Sequence, residues 1–229
     1  MLRRGLLVIL LLAASAVQLF SQTTPDLERV LEAMDKAAGG FRTTEASFVW
    51  DQYQKVVDET DSQKGKVYYR KSGDGVQMAA DISDPDPKYV LYTDSKIQIY
   101  QPRIDQVTVY NTGKDRGEIK SYLVLGFGGR GHDMLKSFDV KYLGREKVGT
   151  QDAVKLDLVP KSDKVRNNFS HILLWIDEQR GISLQQQLFQ PSGDYRLAKY
   201  SDIRINQRIP DSVFKLRTTG KTKLVSPQG

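Results

Sequence analysis

The sequence contains no cysteine, which excludes disulfides, thiolate metal sites and lipid attachment to an N-terminal cysteine. Histidine is almost as scarce. His132 and His171, the two that occur, lie far apart in the chain and outside any metal-ligand spacing. No serine sits in a nucleophile-elbow motif, and no Walker pattern is present. Because no catalytic or metal-binding constellation emerges, we expect a protein that is not an enzyme and needs no cofactor or metal.

Long apolar runs are confined to the N-terminus. Arg3 and Arg4 precede an apolar stretch from Leu6 to Ala14, and small residues follow it. The stretch is too short to cross a bilayer of about 30 Å as a helix. We therefore predict a cleaved secretory signal in residues 1–22, cut between about 16 and 22, rather than a membrane anchor. The mature protein should be free in the periplasm.

Charge of one sign is not concentrated anywhere along the chain. The formal net charge is +6, with 34 basic and 28 acidic residues. Removal of Arg3 and Arg4 with the signal leaves 32 basic residues and a charge of +4. The excess is spread along the chain without basic blocks, so we expect no nucleic-acid partner.

The start of the mature chain is typical of a helix. Thr24 suits an N-cap and Pro25 the first turn. Apolar residues at helical spacing predict an amphipathic helix over 25–39 that must bury one face on something else; they are Leu27, Val30, Leu31 and Met34.

The remaining chain is dominated by residues that alternate apolar and polar, which is typical of strands. The runs lie at 46–51, 67–70, 76–78, 89–92, 97–100, 106–110, 138–143, 152–159, 171–176, 184–189 and 195–205. The segment from Glu118 to Phe138 interrupts them with a short helix, a glycine-rich stretch at 126–131 that resembles a hinge, and one more helical turn. A final turn is expected at 210–214.

A sheet of about ten strands must hide one face, and two helical segments suffice only to lie across the mouth of an open one. We therefore predict a mainly β (α+β) fold: an unclosed antiparallel β half-barrel with a helical lid. A closed barrel and a sandwich would show similar alternation and stay open alternatives. The chain should form a single domain over 23–217, followed by a polar tail over 218–229.

The predicted cavity of this half-barrel is lined by apolar residues of the strands and the lid, with a place in the ordinary core as the alternative for each of them. The candidates are Phe48, Trp50, Tyr68, Leu91, Ile97, Ile99, Val107, Val109 and Leu125. Arg70 ends its strand either as an exposed arginine or as one at the cavity rim, where its guanidinium would bond the lid. The acids Asp177, Glu178 and Asp194 have positions that turn chemistry explains without an active site.

Three stretches carry a resemblance to a known family. They are ASFVWDQYQKVVDETDSQKGKVYYRKSG (46–73), YTDSKIQIYQPRIDQVTVYN (92–111), and the closing segment from WIDEQRG (175) to IPDSVFKL (216). In the second, matches to the family motif are Asp94, Lys96, Tyr100, Pro102, Gln106, Val107 and Thr108, with Ser95 in place of a glycine. This order of motifs resembles the periplasmic outer-membrane lipoprotein carrier family, LolA. The stretch after Arg70 departs from the family, and the lid segment is unusually rich in glycine.

The resemblance implies a soluble periplasmic carrier that holds the acyl chains of lipoproteins and delivers them toward the outer membrane. It implies lipoproteins or other lipids as cargo, a membrane export complex and an outer-membrane acceptor as partners, and a monomer. Gating residues implied for the lid are Arg70, Tyr122, Leu123, Gly126 and Phe127. The alternatives are a lipid or lipoprotein sensor that regulates a partner on the same fold, and a hydrolase using Asp177 or Asp194.

Overall fold

The computed structural model describes residues 24–73, 75–93, 96–113 and 125–227. The predicted signal in residues 1–22 lies outside these ranges, as do Tyr122 and Leu123 of the predicted lid. Within them, no helix is both long enough and apolar enough to cross a membrane.

The predicted N-terminal helix is present as α1, Pro25–Gly40. The Thr24 hydroxyl accepts a hydrogen bond from the Leu27 amide at 3.3 Å, as expected of an N-cap. Its apolar stripe is buried. The helix runs through Gly40, slightly beyond the predicted end. Among the described residues two more short helices follow: α2, Gly131–Ser137, and α3, Asp163–Arg166.

Each of the eleven alternating runs lies within a strand. The strands are β1 Thr43–Gln54, β2 Glu59–Ser72, β3 Gly75–Asp84, β4 Lys88–Thr93, β5 Lys96–Gln101, β6 Gln106–Asn111, β7 Phe138–Val148, β8 Gln151–Pro160, β9 His171–Asp177, β10 Ile182–Phe189, β11 Tyr195–Ile205 and β12 Lys223–Val225. The described connections include the 3-10 helices Pro102–Ile104 and Asp211–Phe214.

All twelve strands belong to one sheet in the order β12-β6-β5-β4-β3-β2-β1-β11-β10-β9-β8-β7. Neighbours are antiparallel except β12, which pairs with β6 in parallel. The two edge strands, β12 and β7, do not pair with each other, so the sheet is unclosed. The predicted unclosed antiparallel half-barrel with a few helices is therefore confirmed, with twelve strands instead of about ten.

The additional strand, β12, lies in the segment that we expected to be a polar tail. Its approach to the sheet is held by the Asp105 carboxylate, which accepts hydrogen bonds from the hydroxyls of Thr222 at 2.7 Å and Thr219 at 2.8 Å. These bonds lower the pKa of Asp105. A three-residue strand fixed by polar side chains has no alternating apolar pattern, which is why the sequence did not indicate it.

The acids between β9 and β11 do form turns. The Asp177 carboxylate accepts hydrogen bonds from the amides of Gln179 and Arg180 at 3.0 and 3.1 Å. Asp194 accepts one from the amide of Lys55 at 2.9 Å, which ties the β10–β11 hairpin to the β1–β2 hairpin. These contacts account for both acids as structural groups.

Candidate functional site: the covered inner face

The inner face of the sheet is the face that α1 and the segment 125–137 cover. On the β7–β10 side the buried stripe of α1 packs against alternate residues of the strands. Leu156, Leu174 and Ile172 from these strands are fully buried. Helix α1 therefore functions structurally as one half of the cover, with an ordinary packed core beneath it.

Phe127 covers the inner face on the other side, over β1, β2 and β11. Its side chain is fully buried. The ring stacks on Tyr69 with centroids 5.0 Å apart and meets Tyr200 edge-on at 4.9 Å. Burial raises the pKa of both phenols, which are therefore neutral at physiological pH. Phe127 thus fills the space that a ligand on this half of the sheet would occupy.

A pocket of about 360 Å³ opens between the two halves of the cover. Its apolar lining comes from α1, the 125–130 loop, α2 and the ends of β3 and β7, and a lysine and an arginine stand among its polar residues. The lining includes Met34, Phe41, Lys71, Val76, Phe127, Arg130, Met134 and Phe138. A mostly apolar concavity with a few polar groups is the usual form of a ligand site.

The glycine-rich segment 126–131 is a close-packing element. A Cβ on Gly126 would lie 2.2 Å from Cβ of Ser183, and one on Gly128 would lie 2.5 Å from the Phe41 ring. Both glycines have positive φ, at 75° and 81°. A Cβ on Gly131 would lie 2.4 Å from the carbonyl oxygen of Leu31 in α1. The glycines therefore let the segment approach the sheet and α1; hinging at them stays a prediction.

This segment also has the spacing GxGxxG, which our reading of the sequence overlooked. In dinucleotide-binding proteins that pattern joins a strand to a helix within a βαβ unit of a parallel sheet. Here the strands on either side, β6 and β7, are not neighbours in the sheet. The structural context of a phosphate-binding loop is therefore missing from the described sheet.

His132 fastens α2 to α1. Its Nδ1 lies 2.7 Å from a carboxylate oxygen of Asp35, and its Nε2 lies 2.8 Å from one of Glu28. The His132 amide also donates to Asp35 at 3.2 Å, so Asp35 caps the start of α2. The bonds to Asp35 and Glu28 raise the pKa of His132. Burial raises the pKa of Asp35, but His132 and Arg130 outweigh it, and the net effect lowers that pKa.

The docking of α2 on α1 should therefore depend on pH. Because the pKa of folded His132 is raised, its contribution is complete below about pH 6.5, the unperturbed histidine value, and is lost as the pH rises through the folded pKa. On the acid side, the Asp35 contribution is lost as the pH falls through its lowered pKa. We expect amide hydrogen exchange in residues 131–137 to accelerate as the pH rises above neutrality, after correction for the intrinsic rate.

The variant H132N should remove this pH dependence, since an amide does not titrate. The matched control is H171N, because His171 pairs with Asp157 on the opposite face of the sheet. A profile for 131–137 that is the same in wild type and H132N would contradict the role of His132.

The structure does not bring the nine predicted cavity residues together. Five of them lie on the inner side. Strand register places Phe48, Trp50, Ile97 and Ile99 there, and Leu125 belongs to the cover that packs on this face. The other four belong to the outer face: Tyr68, Leu91, Val107 and Val109. There, Tyr68 and Leu91 pack against Phe214 and Ile209 from the chain that follows β11. Five of the nine thus share the inner side, and of these the pocket lining contains Leu125.

Arg70 also lies on the outer face, away from the lid segment 125–137. Its guanidinium donates to the Gln77 side chain at 2.7 and 3.1 Å, forms an ion pair with Asp211 and stacks 4.2 Å from the centre of the Phe214 ring. These contacts hold the 3-10 helix Asp211–Phe214 against the sheet. In this structure Arg70 thus binds the C-terminal segment to the sheet. A gating role for Arg70 stays a prediction.

The cation of β2 that does reach the pocket is the neighbour of Arg70, Lys71. Alternation along β2 puts Lys71 on the inner face opposite Val76, where it lines the pocket mouth. Our sequence reasoning missed it because a step of one residue along a strand changes the face. The alternation along β2 is the sequence signal that bears on Lys71, because it puts Lys71 on the same face as Val67 and Tyr69 and opposite to Tyr68 and Arg70.

Residues 39–217 match the family described as outer membrane lipoprotein carrier protein LolA. The chain belongs to the LolA family. The match covers the whole sheet from β1 to β11 and the chain that packs behind it, and it confirms the resemblance seen in the sequence.

Individual LolA-family relatives are distant. An outer-membrane lipoprotein carrier protein of Legionella pneumophila is 23% identical over 212 residues, which cover 92% of this chain and 94% of the relative. One of Dechloromonas aromatica is 28% identical over 140 residues, or 59% of each chain. The chain thus spans about three fifths of the second relative and nearly all of the first.

Solved structures share the fold at still lower identity. An uncharacterized conserved protein of Thermus thermophilus gives a TM-score of 0.56 at 10% identity, covering 88% of this chain and 99% of that one. Pseudomonas aeruginosa MucB, in its complex with MucA, gives 0.51 at 14% identity, covering 83% of this chain and 61% of MucB. At these identities the likeness concerns the fold alone.

Proposed function

We propose that this LolA-family protein is an exported periplasmic carrier that holds the acyl chains of lipoproteins against the inner face of its half-barrel. The observation that carries the proposal is the pocket between Met34, Phe127 and Phe138, where two separately packed pieces of cover meet over an apolar sheet. The carrier names of the Legionella and Dechloromonas relatives support the same cargo class. Binding of this kind needs no covalent chemistry.

The energies are compatible with displacement of the cover. Exposing a buried phenylalanine such as Phe127 costs about 3–5 kcal/mol by analogy with truncation of core residues. Each buried methylene of an acyl chain contributes about 0.8 kcal/mol. Burial of roughly four to six methylenes therefore offsets the loss of Phe127 from the core, and a longer chain leaves a net gain.

The two tryptophans of the chain offer a direct test, because they lie on opposite faces. Trp50 is on the inner face, paired with Ala198 of β11. Trp175 faces outward, buried beside Lys155 and Glu146. A lipoprotein whose acyl chains carry bromine should quench the fluorescence of Trp50 and leave that of Trp175 unchanged, since bromine quenches only nearby indoles.

The matched variants are W50F, which should lose the quenched emission, and W175F, which should retain it. The same lipoprotein without its acyl chains should neither bind nor quench. Equal binding of the two cargo forms would overturn the carrier proposal, and quenching of Trp175 would place the lipid on the wrong face.

A regulatory sensor on the same fold remains the second candidate from the sequence. The likeness to MucB bears on the fold alone, and no contact in the described residues favours a particular protein partner. We therefore propose the carrier function alone, with an export complex and an outer-membrane acceptor as its expected partners.

A further inference from the structure

We propose that a second cleft, which shares no lining residue with the lid pocket, binds a phosphate group through Arg196. The cleft has a volume of about 520 Å³. It lies between the loop after α3 and the β10–β11 hairpin, and it is lined by Asn167, Asn168, Phe169, Gln190, Pro191, Ser192 and Arg196. None of these residues belongs to the lid pocket, so the site is distinct from the one proposed for acyl chains.

Arg196 is held toward the inner face without an anionic partner. In β11 it pairs with Gln52 of β1 and Leu188 of β10, and its guanidinium lies 5.8 Å from the centre of the Trp50 ring. Its Nε is buried and has no hydrogen-bond partner. Across the described residues, Arg196 forms no ion pair. A buried, unsatisfied donor of a charged group is costly, and a bound anion would satisfy it.

The lining of the cleft suits an anion. Three amide side chains and a hydroxyl can donate hydrogen bonds, and no carboxylate is among the lining residues. The acids in the flanking turns are already engaged: Asp194 accepts from the Lys55 amide at 2.9 Å, and Asp163 pairs with Arg166. The single formal charge of the lining is therefore the positive charge of Arg196.

A phosphate is the anion that this donor set fits best. The planar guanidinium presents two parallel N–H groups to a pair of phosphate oxygens, which gives strong, oriented binding. The Trp50 ring, 5.8 Å from the guanidinium carbon, adds a cation–π contact on one side. Such a phosphate can come from a phospholipid headgroup or from free phosphate. The apolar side chains of Trp50 and Leu188 lie next to Arg196, and they would contact the acyl part of a phospholipid but not a free ion.

The test is calorimetric titration of the full mature protein with three probes. Inorganic phosphate and dihexanoyl-phosphatidylglycerol below its micelle concentration both carry the phosphate, and dihexanoylglycerol lacks it. We expect binding of a phosphate-bearing probe and none of dihexanoylglycerol at the same site. Tighter binding of the phospholipid than of inorganic phosphate would identify a headgroup site, and equal binding would identify a free-phosphate site.

The variant R196Q should weaken binding of the phosphate probe at least tenfold. Its matched control is R204Q, on the same strand, with the same change of charge but on the outer face, opposite Glu45; its affinity should equal that of wild type. If R196Q does not fold, N167D tests the site by adding a carboxylate at an exposed position of the lining, and it should also weaken binding tenfold or more.

Absence of phosphate binding in wild type would overturn the proposal, as would equal affinity in R196Q and R204Q. Inorganic phosphate contains no acyl chain, so the absence of phosphate binding would not contradict the proposed carrier function. Conversely, failure of the acyl-quenching experiment leaves the phosphate site standing.

Discussion

Replacing Phe127 with alanine should lower the free energy of unfolding by about 3–5 kcal/mol, the range for truncating a fully buried aromatic residue. The ring has no exposed surface and contacts Tyr69 and Tyr200 at centroid distances of 5.0 and 4.9 Å. Its loss leaves a cavity on the inner face and removes both aromatic contacts. Chemical denaturation followed by circular dichroism measures this loss.

The same variant should bind acyl chains more tightly than wild type. In wild type, cargo on this half of the sheet must first displace the Phe127 ring, and this displacement lowers the apparent affinity. F127A has no ring to displace, so stability and cargo affinity should move in opposite directions. The measurement is titration with acylated lipoprotein at a temperature where both proteins are folded.

The matched control for F127A is F214A. Phe214 is also a buried phenylalanine, but it packs on the outer face with Leu91 and Arg70. F214A should lose a comparable amount of stability and leave cargo affinity unchanged. Weaker cargo binding in F127A than in F214A would contradict the view that Phe127 occupies the cargo space.

Replacing Gly131 with alanine should lower the free energy of unfolding by about 1–3 kcal/mol, as expected when a well-packed contact is overfilled. The added Cβ would lie 2.4 Å from the Leu31 carbonyl oxygen and 2.6 Å from its Cα. Backbone atoms of a helix cannot give way as a flexible side chain can. The strain should therefore separate α2 from α1, and hydrogen exchange in 131–137 should accelerate.

The control for G131A is G39A, an identical change within a helix. A Cβ on Gly39 meets no atom within 4 Å. Alanine is a better helix former than glycine, so G39A should stabilise the protein by up to about 1 kcal/mol. Destabilisation by G39A, or a neutral effect of G131A, would contradict the close approach of α2 to α1 as the cause.

The secondary structure was largely predictable from the sequence because local patterns determine it. Alternation located the eleven strands from β1 to β11, and the spacing of Leu27, Val30, Leu31 and Met34 located α1. Turn residues such as Asp177 and Asp194 were assigned correctly by their own side-chain chemistry. The short parallel strand β12 was missed because its position depends on Asp105, more than one hundred residues away in the chain.

The face of each strand was not predictable in the same way. Alternation shows that Tyr68 and Arg70 share a face, and that Val67, Tyr69 and Lys71 share the other. It does not show which of these two faces α1 will cover, because both contain large apolar residues. The sequence placed Tyr68 in the cavity and left Arg70 either exposed or at the cavity rim, and the structure has both on the outer face.

The sequence by itself therefore determined α1, the strands from β1 to β11 and the resemblance to the family, since these depend on periodicity, turn chemistry and the order of motifs. Only the tertiary structure decided which side chains meet: Phe127 with Tyr69, His132 with Asp35, and Arg196 with Trp50. The physical reason is that both faces of this sheet bury apolar residues, one under α1 and segment 125–137 and part of the other under the C-terminal segment. Composition is then similar on the two faces, and packing alone distinguishes them.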